Sequence, residues 1–428
     1  MRHSLIVIVT LLSTSVSWAE VTAFVNINVV PMSSETVIAQ QTVLVSDGTI
    51  ERIGSVDAVP IPKGATVVDG TDRYLMPGLA EMHAHVSDAT SPNVDRNFTL
   101  YVANGVTTIR GMLGRESHLA LRRELEEGSV FGPRLITSGP SLNGRSVNGA
   151  AHARELVNAQ HAAGYDFIKI HPGLDADEFD ALADTANELG MPFAGHVTIA
   201  SGVPRVLEKG MATIDHLDGY FATLLPPASQ GRGGFGGFFG VMLADEIDSE
   251  RIPESARMTA EAGTWNVTTQ VLVEVRINET TVAELRSWPE MRYVPRATLQ
   301  RWVDAKNAVT SEPRFDATVA ARGIELRRAL ILELHRAGAG LLLGADSPQV
   351  FNVPGFSIHR ELDALVAAGL TPYEALRTGT ANVAEFLDSN AGIVAAGRDA
   401  DLVVVNDNPL EDVRNARRIH GVMLRGDW

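Results

Sequence analysis

Short apolar stretches alternate with amphipathic segments through the middle of the chain. Helical periodicity is clearest over 175–190, where apolar residues recur on one face of a helix. Eight apolar stretches predict strands: 76–85, 105–110, 133–138, 166–171, 192–197, 211–217, 265–273 and 339–346. Because helical patterns separate most of them, the order predicts parallel strands in an α/β fold. Eight such units favour a closed (β/α)8 barrel of the TIM type, in which functional side chains lie at the carboxyl ends of the strands.

The two ends of the chain have a different pattern, because short strand-like segments occur there without helices. These segments are 21–30, 41–53, 66–68, 400–406 and 419–424, and the pair Asp47 and Gly48 fits a tight hairpin turn. We therefore predict a small accessory β-sandwich built from 20–75 and 390–428. The larger barrel, 76–389, would be inserted between these two pieces.

The first residues predict an export signal. A polar start with Arg2 is followed by the apolar run 5–12, and Ala19 lies where a signal peptidase would cut. The alternative is a membrane anchor, but the run is short for a bilayer span of ~20 residues. We expect residues 1–19 to be removed, leaving a periplasmic or secreted protein without a membrane segment.

Composition excludes several classes of function and of site. Charged residues make up 21% of the chain and the formal net charge is −16, so binding to nucleic acid is not expected. The chain has no cysteine, which excludes a thiolate metal site and a cysteine nucleophile. Any metal must therefore bind to histidine, to carboxylate or to a modified side chain.

Histidines and one aspartate recur at the ends of predicted strands. His83 and His85 end the first strand and share one face, since alternate residues of a strand point the same way. His196 ends the fifth strand, His216 the sixth and Asp346 the eighth. A single histidine next to an apolar strand is usually a packing residue, but five such side chains on one rim favour a metal site.

Lys169 lies inside the apolar fourth strand, on the face that also carries His171. A buried ammonium group is costly without a partner, and two solutions are open. The lysine could form a salt bridge with a barrel carboxylate such as Asp346. Alternatively, burial could lower its pKa so that the neutral amine reacts with carbon dioxide to give a carbamate, an anion able to bridge two metals.

The segment 225–240 (LPPASQGRGGFGGFFG) interrupts the alternation of strands and helices after the sixth strand. Its glycines disfavour a regular helix. One interpretation is a surface loop without a role. The other, suggested by its three phenylalanines, is a mobile lid that contacts the substrate or a neighbouring subunit.

These residues together resemble the amidohydrolase superfamily. The run LMPGLAEMHAHV is similar to its first metal motif, GVTTIRGM to its second-strand motif, and AGIVAAGRDADLVVVNDNP to its return into the β-domain. The resemblance covers nearly the whole mature chain and looks closest to the branch of prolidase-like, imidazolonepropionase-like and ochratoxinase-like enzymes.

The resemblance implies a role for each motif residue. His83, His85 and Asp346 would bind one divalent metal, His196 and His216 a second, and carboxylated Lys169 would bridge them. The metals would usually be zinc, which histidine and oxygen ligands suit. The metals would activate a water for attack, and Asp346 would transfer its proton to the leaving amine.

Further residues are candidates for contact with the substrate. His171 could touch substrate or orient a ligand, and Tyr220 could donate to the scissile carbonyl. His359 could reach the rim, and Arg110 could bind a substrate carboxylate or, more in keeping with its position, form an internal ion pair.

The sequence therefore predicts a metal-dependent hydrolase of an amide or peptide-type bond. An N-acyl amino acid, a dipeptide or an ochratoxin-type amide is the expected small-molecule substrate, and a homo-oligomer is expected. Three alternatives stay open: hydrolysis of a cyclic amide, lactone or phosphoester by the same site; a non-catalytic exported metal- or ligand-binding protein; and a mononuclear enzyme with unmodified Lys169.

Overall fold

The computed structural model describes residues 21–229 and 236–428 of the chain. The predicted signal peptide, 1–19, lies outside the described residues and stays a prediction. Part of the glycine-rich segment, 230–235, also lies outside them. Among the described residues, no helix has the length and apolar character needed to cross a membrane.

The five terminal segments form the strands predicted for them, and Tyr74–Pro77 (β5) adds a strand to their sheet that the sequence did not predict. Their bounds are β1 Thr22–Val29, β2 Ile38–Ser46, β3 Thr49–Ser55, β4 Thr66–Asp69, β5 Tyr74–Pro77, β14 Leu402–Val405 and β15 Ile419–Met423. Both residues of the predicted β2–β3 turn have positive φ, 48° at Asp47 and 72° at Gly48, as a tight hairpin requires.

Strands from the two ends of the chain lie in one sheet, because β5 pairs with β14 in antiparallel register. The sheet order is β15-β14-β5-β1-β2-β3, and β4 adds to β1. Residues including Phe24, Ile27 and Leu402 form its own apolar core. The seven strands are thus joined in one branched, hydrogen-bonded sheet, and its arrangement as a two-layered sandwich stays a prediction.

Each of the eight stretches predicted as strands of the central region overlaps an observed strand. Their bounds are β6 Leu79–Ala84, β7 Val106–Gly111, β8 Arg134–Thr137, β9 Ile168–Ile170, β10 Phe193–Gly195, β11 Thr213–Asp215, β12 Trp265–Val267 and β13 Leu341–Leu342. Neighbouring strands pair in parallel, in the orders β6-β7-β8 and β9-β10-β11-β12-β13. The predicted α/β class with parallel strands is confirmed.

Isolated contacts join the two parallel sheets at both edges. Ser138 bridges to Phe167 between β8 and β9, and Ala84 bridges to Ser347 beyond the end of β13. The backbone N–H of Met82 in β6 also donates to the carbonyl oxygen of Leu343, at 2.8 Å. The strands of the two parallel sheets therefore follow one another in chain order, with isolated bridges between the sheets.

Helices separate successive strands, as the sequence pattern predicted. Their bounds are α1 Asn93–Ala103, α2 Ser117–Glu126, α3 Ala150–Ala163, α4 Ala176–Glu188, α5 Gly202–Glu208, α6 Tyr220–Thr223, α7 Ile252–Glu261, α8 Gln270–Ile277, α9 Val282–Ser287, α10 Arg296–Thr310, α11 Ala317–Arg336, α12 Phe356–Ala367, α13 Pro372–Thr378 and α14 Ala381–Leu387. The helix expected over 175–190 is α4. It begins at a capping box in which Asp175 accepts from the N–H of Glu178 and the Glu178 side chain accepts in return.

Candidate metal centre

His83 and His85 lie at the carboxyl end of β6, side by side. Their ring centroids are 5.6 Å apart, and His83 is fully buried. The carboxylate of Asp346, beyond the end of β13, approaches the same point, with 3.0 Å between its Oδ1 and Nε2 of His85. Ligand atoms of these three residues all lie within 4.8 Å of one another, close enough to share one metal ion.

His216 and His196 extend this cluster. The ring of His216 is 4.4 Å from that of His83 and 4.8 Å from that of His196, measured between centroids. Nδ1 of His216 is also 3.8 Å from the carboxylate of Asp346. The four histidines and the aspartate picked out from the sequence thus form one continuous group at the carboxyl ends of the strands.

The geometry of strand ends explains how His216 and Asp346 reach the cluster. Both have positive φ, 64° for His216 and 59° for Asp346, which is uncommon for residues with a side chain. The backbone turns out of the strand direction at these two residues and aims their side chains at the rim. Such backbone strain is found most often where a site depends on it.

Lys169, in the middle of β9, is completely buried. Its Nζ is 3.4 Å from Oδ2 of Asp215 at the end of β11. Burial lowers the pKa of Lys169, and Asp215 and Asp346 act against that shift. The structure therefore pairs the lysine with a barrel carboxylate, as one sequence interpretation expected, although the partner is Asp215 and not Asp346.

Gly195 provides the space for this lysine. It has φ of 128°, and a Cβ atom added there would lie 2.4 Å from the carbonyl oxygen of Ile170 and 3.0 Å from Nζ of Lys169. A larger residue would collide with rigid backbone. Glycine at this position therefore leaves open the volume around the lysine amine.

Asp215 connects several parts of the centre, and the sequence analysis missed it. Its Oδ2 is also 3.1 Å from Nδ1 of His83, and its Oδ1 is 3.3 Å from Nη2 of Arg110. Burial raises the pKa of Asp215, but Lys169 and Arg110 outweigh that effect and lower it. The internal ion pair expected for Arg110 is confirmed.

His196 and His216 have hydrogen-bond partners for Nδ1. In His196 this atom lies 3.0 Å from Oδ2 of Asp218, and in His216 it lies 2.8 Å from the hydroxyl of Thr269. Contacts of this kind fix the ring orientation and leave Nε2 for a ligand. Neither Asp218 nor Thr269 was picked out from the sequence, because a polar residue in a loop carries no distinctive signal.

The imidazoles of His83 and His216 are neutral and the carboxylate of Asp346 is ionised. Burial is the main reason why the pKa of His83 and that of His216 lie well below the usual value. Burial raises the pKa of Asp346, but His85 and His83 counteract it and bring the pKa to about 2. Neutral imidazole and ionised carboxylate are the forms that bind a divalent cation.

Glu81 supports the centre from below, and the sequence analysis missed it as well. Its carboxylate accepts hydrogen bonds from the N–H of His83 at 3.1 Å, the N–H of Ala345 at 2.8 Å and the hydroxyl of Ser347 at 2.9 Å. Burial raises the pKa of Glu81 to about 8. The signal was available, since Glu81 shares the inward face of β6 with His83.

His171 belongs to the cluster, as its position in the sequence suggested. Its ring is 4.9 Å from that of His196, and its Nδ1 is buried without a hydrogen bond to a described residue. Burial, followed by the nearby Lys169, lowers the pKa of His171 to about 2. The side chain is therefore a neutral imidazole beside the ligand histidines.

Tyr220 lies away from the cluster, contrary to the expectation that it would donate to a substrate. Its buried hydroxyl donates to Oδ1 of Asn266 at 3.0 Å and is 2.9 Å from the hydroxyl of Thr259. The reason is Gly219, whose φ of 79° turns the chain so that the tyrosine packs behind β12. His359 is also turned inward, and its Nε2 is 3.1 Å from the carbonyl oxygen of Asn104.

The described end of the glycine-rich segment covers the histidines. The ring of Phe239 lies nearly parallel to that of His216, with centroids 4.7 Å apart and planes at 19°, and it is 6.0 Å from that of His196. Phe239 is itself in a left-handed conformation, with φ of 49°. Contact of this segment with a substrate or a second subunit stays a prediction.

The cluster suits a divalent metal on the chemistry of its donors. Imidazole nitrogens and a carboxylate converge, and His83 is neutral and Asp346 ionised, the states that a metal needs. Ligands of this type fit zinc, and also manganese, cobalt or nickel. Asp218 and Thr269 supply the outer hydrogen bonds that ligand histidines usually have, and the carboxylate of Asp215 lies 3.1 Å from Nδ1 of His83.

Comparison with known proteins agrees with this assignment. The pattern of the amidohydrolase family matches residues 74–428. Ochratoxinase of Aspergillus niger is 23% identical over 397 residues, which span 87% of this chain and 78% of ochratoxinase.

Similar solved structures include a bottromycin amidohydrolase, with a TM-score of 0.73 and 23% identity over 95% of this chain and 86% of its own. A Xaa-Pro dipeptidase with methionine bound in its active site has a TM-score of 0.68 and 20% identity over 95% of this chain and 99% of its own. These likenesses show a shared fold. Because the family pattern covers most of the sequence, the chain belongs to the amidohydrolase family and is a hydrolase.

Proposed function

We propose that the protein is a binuclear metal-dependent amidohydrolase that cleaves an amide or peptide-type C–N bond. The observation that carries the proposal is the convergence of His83, His85, His216 and Asp346 at the carboxyl ends of their strands. The contacts between the two parallel sheets at both edges support a closed barrel around this centre.

The residues divide into two ligand sets. His83, His85 and Asp346 would hold one divalent metal, since their ligand atoms already lie within 4.8 Å of one another. His196 and His216, with adjacent rings, would hold the second. Zinc is the metal that we expect. Two such ions would supply Lewis acidity, which lowers the pKa of a water molecule and polarises a carbonyl group.

Asp346 is the proton carrier in this proposal. One oxygen of its carboxylate is next to His85 and the other faces His216, so it lies between the two ligand sets. With a pKa of about 2, it is ionised and able to accept a proton from the attacking water. It then delivers that proton to the leaving nitrogen, which would otherwise depart as an unstable amide anion. His171, neutral and beside His196, would position the substrate or a ligand.

Lys169 is the bridge between the two sets when it is carboxylated. The neutral amine attacks carbon dioxide, an N–C bond forms, one proton is released, and the side chain becomes an anion. The depressed pKa of Lys169 and the space left by Gly195 favour this chemistry. The ion pair with Asp215 favours the mononuclear alternative, in which the lysine stays an ammonium group.

The similar proteins indicate which type of bond we expect this enzyme to cleave. Their names are those of a bottromycin amidohydrolase, a Xaa-Pro dipeptidase and ochratoxinase, so we infer that this chain also acts on an amide or peptide bond. An N-acyl amino acid, a dipeptide or an ochratoxin-type amide is the expected substrate. A cyclic amide, lactone or phosphoester is the second candidate, because the same centre would activate water for those bonds.

Product analysis on a substrate panel tests the proposal. The purified protein is incubated with N-acyl amino acids, dipeptides, a lactone and a phosphodiester, with and without prior removal of metal by a chelator. We expect release of a free amino acid that stops after chelation and returns with added zinc. Turnover that is unaffected by complete metal removal would contradict the metal-dependent mechanism, and turnover of the lactone or phosphodiester alone would favour the second candidate.

A further inference from the structure

Arg276, near the carboxyl end of α8, is half-buried beside the metal centre but has no ionic partner. No hydrogen bond or ion pair joins its guanidinium to any of the residues that the structure describes, and its Nε is fully shielded from solvent. The arginine lies near enough to Asp346 for that carboxylate to raise its pKa, although burial dominates and lowers it. An arginine in this environment normally has an anion to bind.

Other buried arginines of the barrel do have partners. Arg110 pairs with Asp215, and Arg327 donates to the carbonyl oxygens of His216 and Thr268. The unpaired state of Arg276 is more unusual because the chain has 52 acidic and only 36 basic residues. Carboxylates are therefore plentiful, yet none of the described ones is placed against this guanidinium.

The nearest acidic residue along α8 is already occupied. Glu274 accepts from Nε of Arg328 at 3.0 Å and from Nε2 of Gln270 at 3.0 Å. Its carboxylate is thus already paired with Arg328 and Gln270. The unpaired guanidinium of Arg276 is left on the side that meets the glycine-rich segment.

An aromatic contact orients the guanidinium of Arg276. Its guanidinium carbon lies 4.6 Å from the ring centroid of Phe238, a cation–π distance. Phe238 contacts Phe239 with centroids 4.4 Å apart, and Phe239 in turn lies over His216. Phe238 and Phe239 thus form an aromatic shelf. Arg276 lies at one end of it, and the other end covers the metal ligand His216.

The guanidinium of Arg276 contacts the ring of Phe238, and its N–H groups donate no hydrogen bond to a described residue. These N–H groups lie in the guanidinium plane and match the two oxygens of a carboxylate. The aromatic shelf between Arg276 and the histidines would cover the apolar part of a bound molecule. A substrate with a carboxylate at one end and the scissile amide at the other would reach both Arg276 and the metal centre.

We propose that Arg276 binds the free α-carboxylate of the substrate, so that the enzyme cleaves the amide bond of a C-terminal or N-acylated amino acid. This inference rests on the proposed amidohydrolase function and names the substrate class for that same centre. Arg276 would be a substrate-binding residue that positions the scissile carbonyl, with Phe238 holding its guanidinium in place.

The test compares two ligands that differ only in charge, N-acetyl-L-phenylalanine and N-acetyl-L-phenylalaninamide. Steady-state kcat/KM and calorimetric Kd are measured for both with the wild type, Arg276→Gln and Arg276→Lys. The matched control is Arg322→Gln, which removes an exposed arginine that is paired with Asp245. The binding measurement does not need turnover, so it tests the role of Arg276 separately from the hydrolytic function.

We expect the wild type to prefer the free acid over the carboxamide. Arg276→Gln should weaken binding and kcat/KM for the acid by roughly 30-fold or more, the usual effect of removing one partner of a shielded charge pair. The carboxamide should change by less than about 3-fold, Arg276→Lys should retain part of the preference, and Arg322→Gln should behave as wild type. Equal losses for both ligands in Arg276→Gln, or an unchanged preference for the acid, would overturn the proposal. Acid binding that depends on Arg276 without any hydrolysis would support it and contradict the proposed function alone.

Discussion

Nδ1 of His196 lies 3.0 Å from Oδ2 of Asp218, a residue that follows the fourth metal-site histidine, His216, by two positions. The loop after β11, which carries Asp218, thereby fixes the imidazole ring of His196 at the end of β10. A contact of this kind orients the imidazole and increases the basicity of its other nitrogen. Asp218 is thus a support for the second ligand set without being needed as a ligand itself.

Removing this carboxylate should weaken metal binding. We predict that Asp218→Ala reduces the affinity for zinc by about 10- to 100-fold, the range seen when the outer partner of a ligand histidine is lost. Competition with a fluorescent chelator measures the affinity. The control is Asp184→Ala, since Asp184 pairs with Lys209 on the surface. Equal affinities for the wild type and Asp218→Ala would show that this contact does not support a metal.

Glu81 gives a prediction about stability. Glu81→Ala would leave the buried N–H groups of His83 and Ala345 and the hydroxyl of Ser347 without their acceptor, so we expect a loss of about 3 kcal/mol in the free energy of unfolding. In Glu81→Gln, the amide oxygen still accepts from both N–H groups and the amide nitrogen donates to Ser347. The loss should then be within about 1 kcal/mol.

Urea denaturation of the two Glu81 variants, at one fixed metal concentration, measures the difference. The comparison isolates hydrogen bonding, because glutamine has nearly the shape of glutamate. A Glu81→Gln variant as unstable as Glu81→Ala would contradict the view that the acceptor geometry of Glu81 stabilises the centre.

Tyr220→Phe separates a packing role from a role in catalysis. The hydroxyl bonds to Asn266 and lies beside Thr259, so its removal should cost roughly 1–2 kcal/mol of stability. We expect kcat to stay within about 2-fold of the wild type at a temperature where both are folded. A fall in kcat of about 100-fold, with KM little changed, would instead restore the expectation that Tyr220 donates a proton to the substrate.

The eight central strands could be predicted because buried parallel strands have apolar sequences with few polar interruptions. The sequence pattern overestimated their length where the chain turns into the site. The last strand, predicted over 339–346, ends at Leu342, because Asp346 and the residues before it leave the strand conformation. Strand ends are therefore where the hydrophobic pattern is least informative.

The metal-site residues were predictable for a related reason. His83, His85, His216 and Asp346 stand out because polar, ligating side chains directly follow apolar stretches. Their supporting residues Asp218 and Thr269 lie in loops, where polar residues are expected anyway. Tyr220 was misplaced because a four-residue spacing brings side chains together only in a continuous helix. Gly219, with positive φ, lies between Tyr220 and His216 and breaks that continuity.

The most direct test of the central claim is the metal content of the purified protein, measured by plasma mass spectrometry. The wild type is compared with Lys169→Ala and with the surface variant Lys209→Ala, and amide hydrolysis is measured on the same samples after circular dichroism has confirmed that they are folded. We predict about two metal ions per chain in the wild type and in Lys209→Ala, and fewer in Lys169→Ala, with a parallel loss of activity. One ion or fewer in the wild type, with activity indifferent to the loss of Lys169, would contradict the binuclear, lysine-bridged centre.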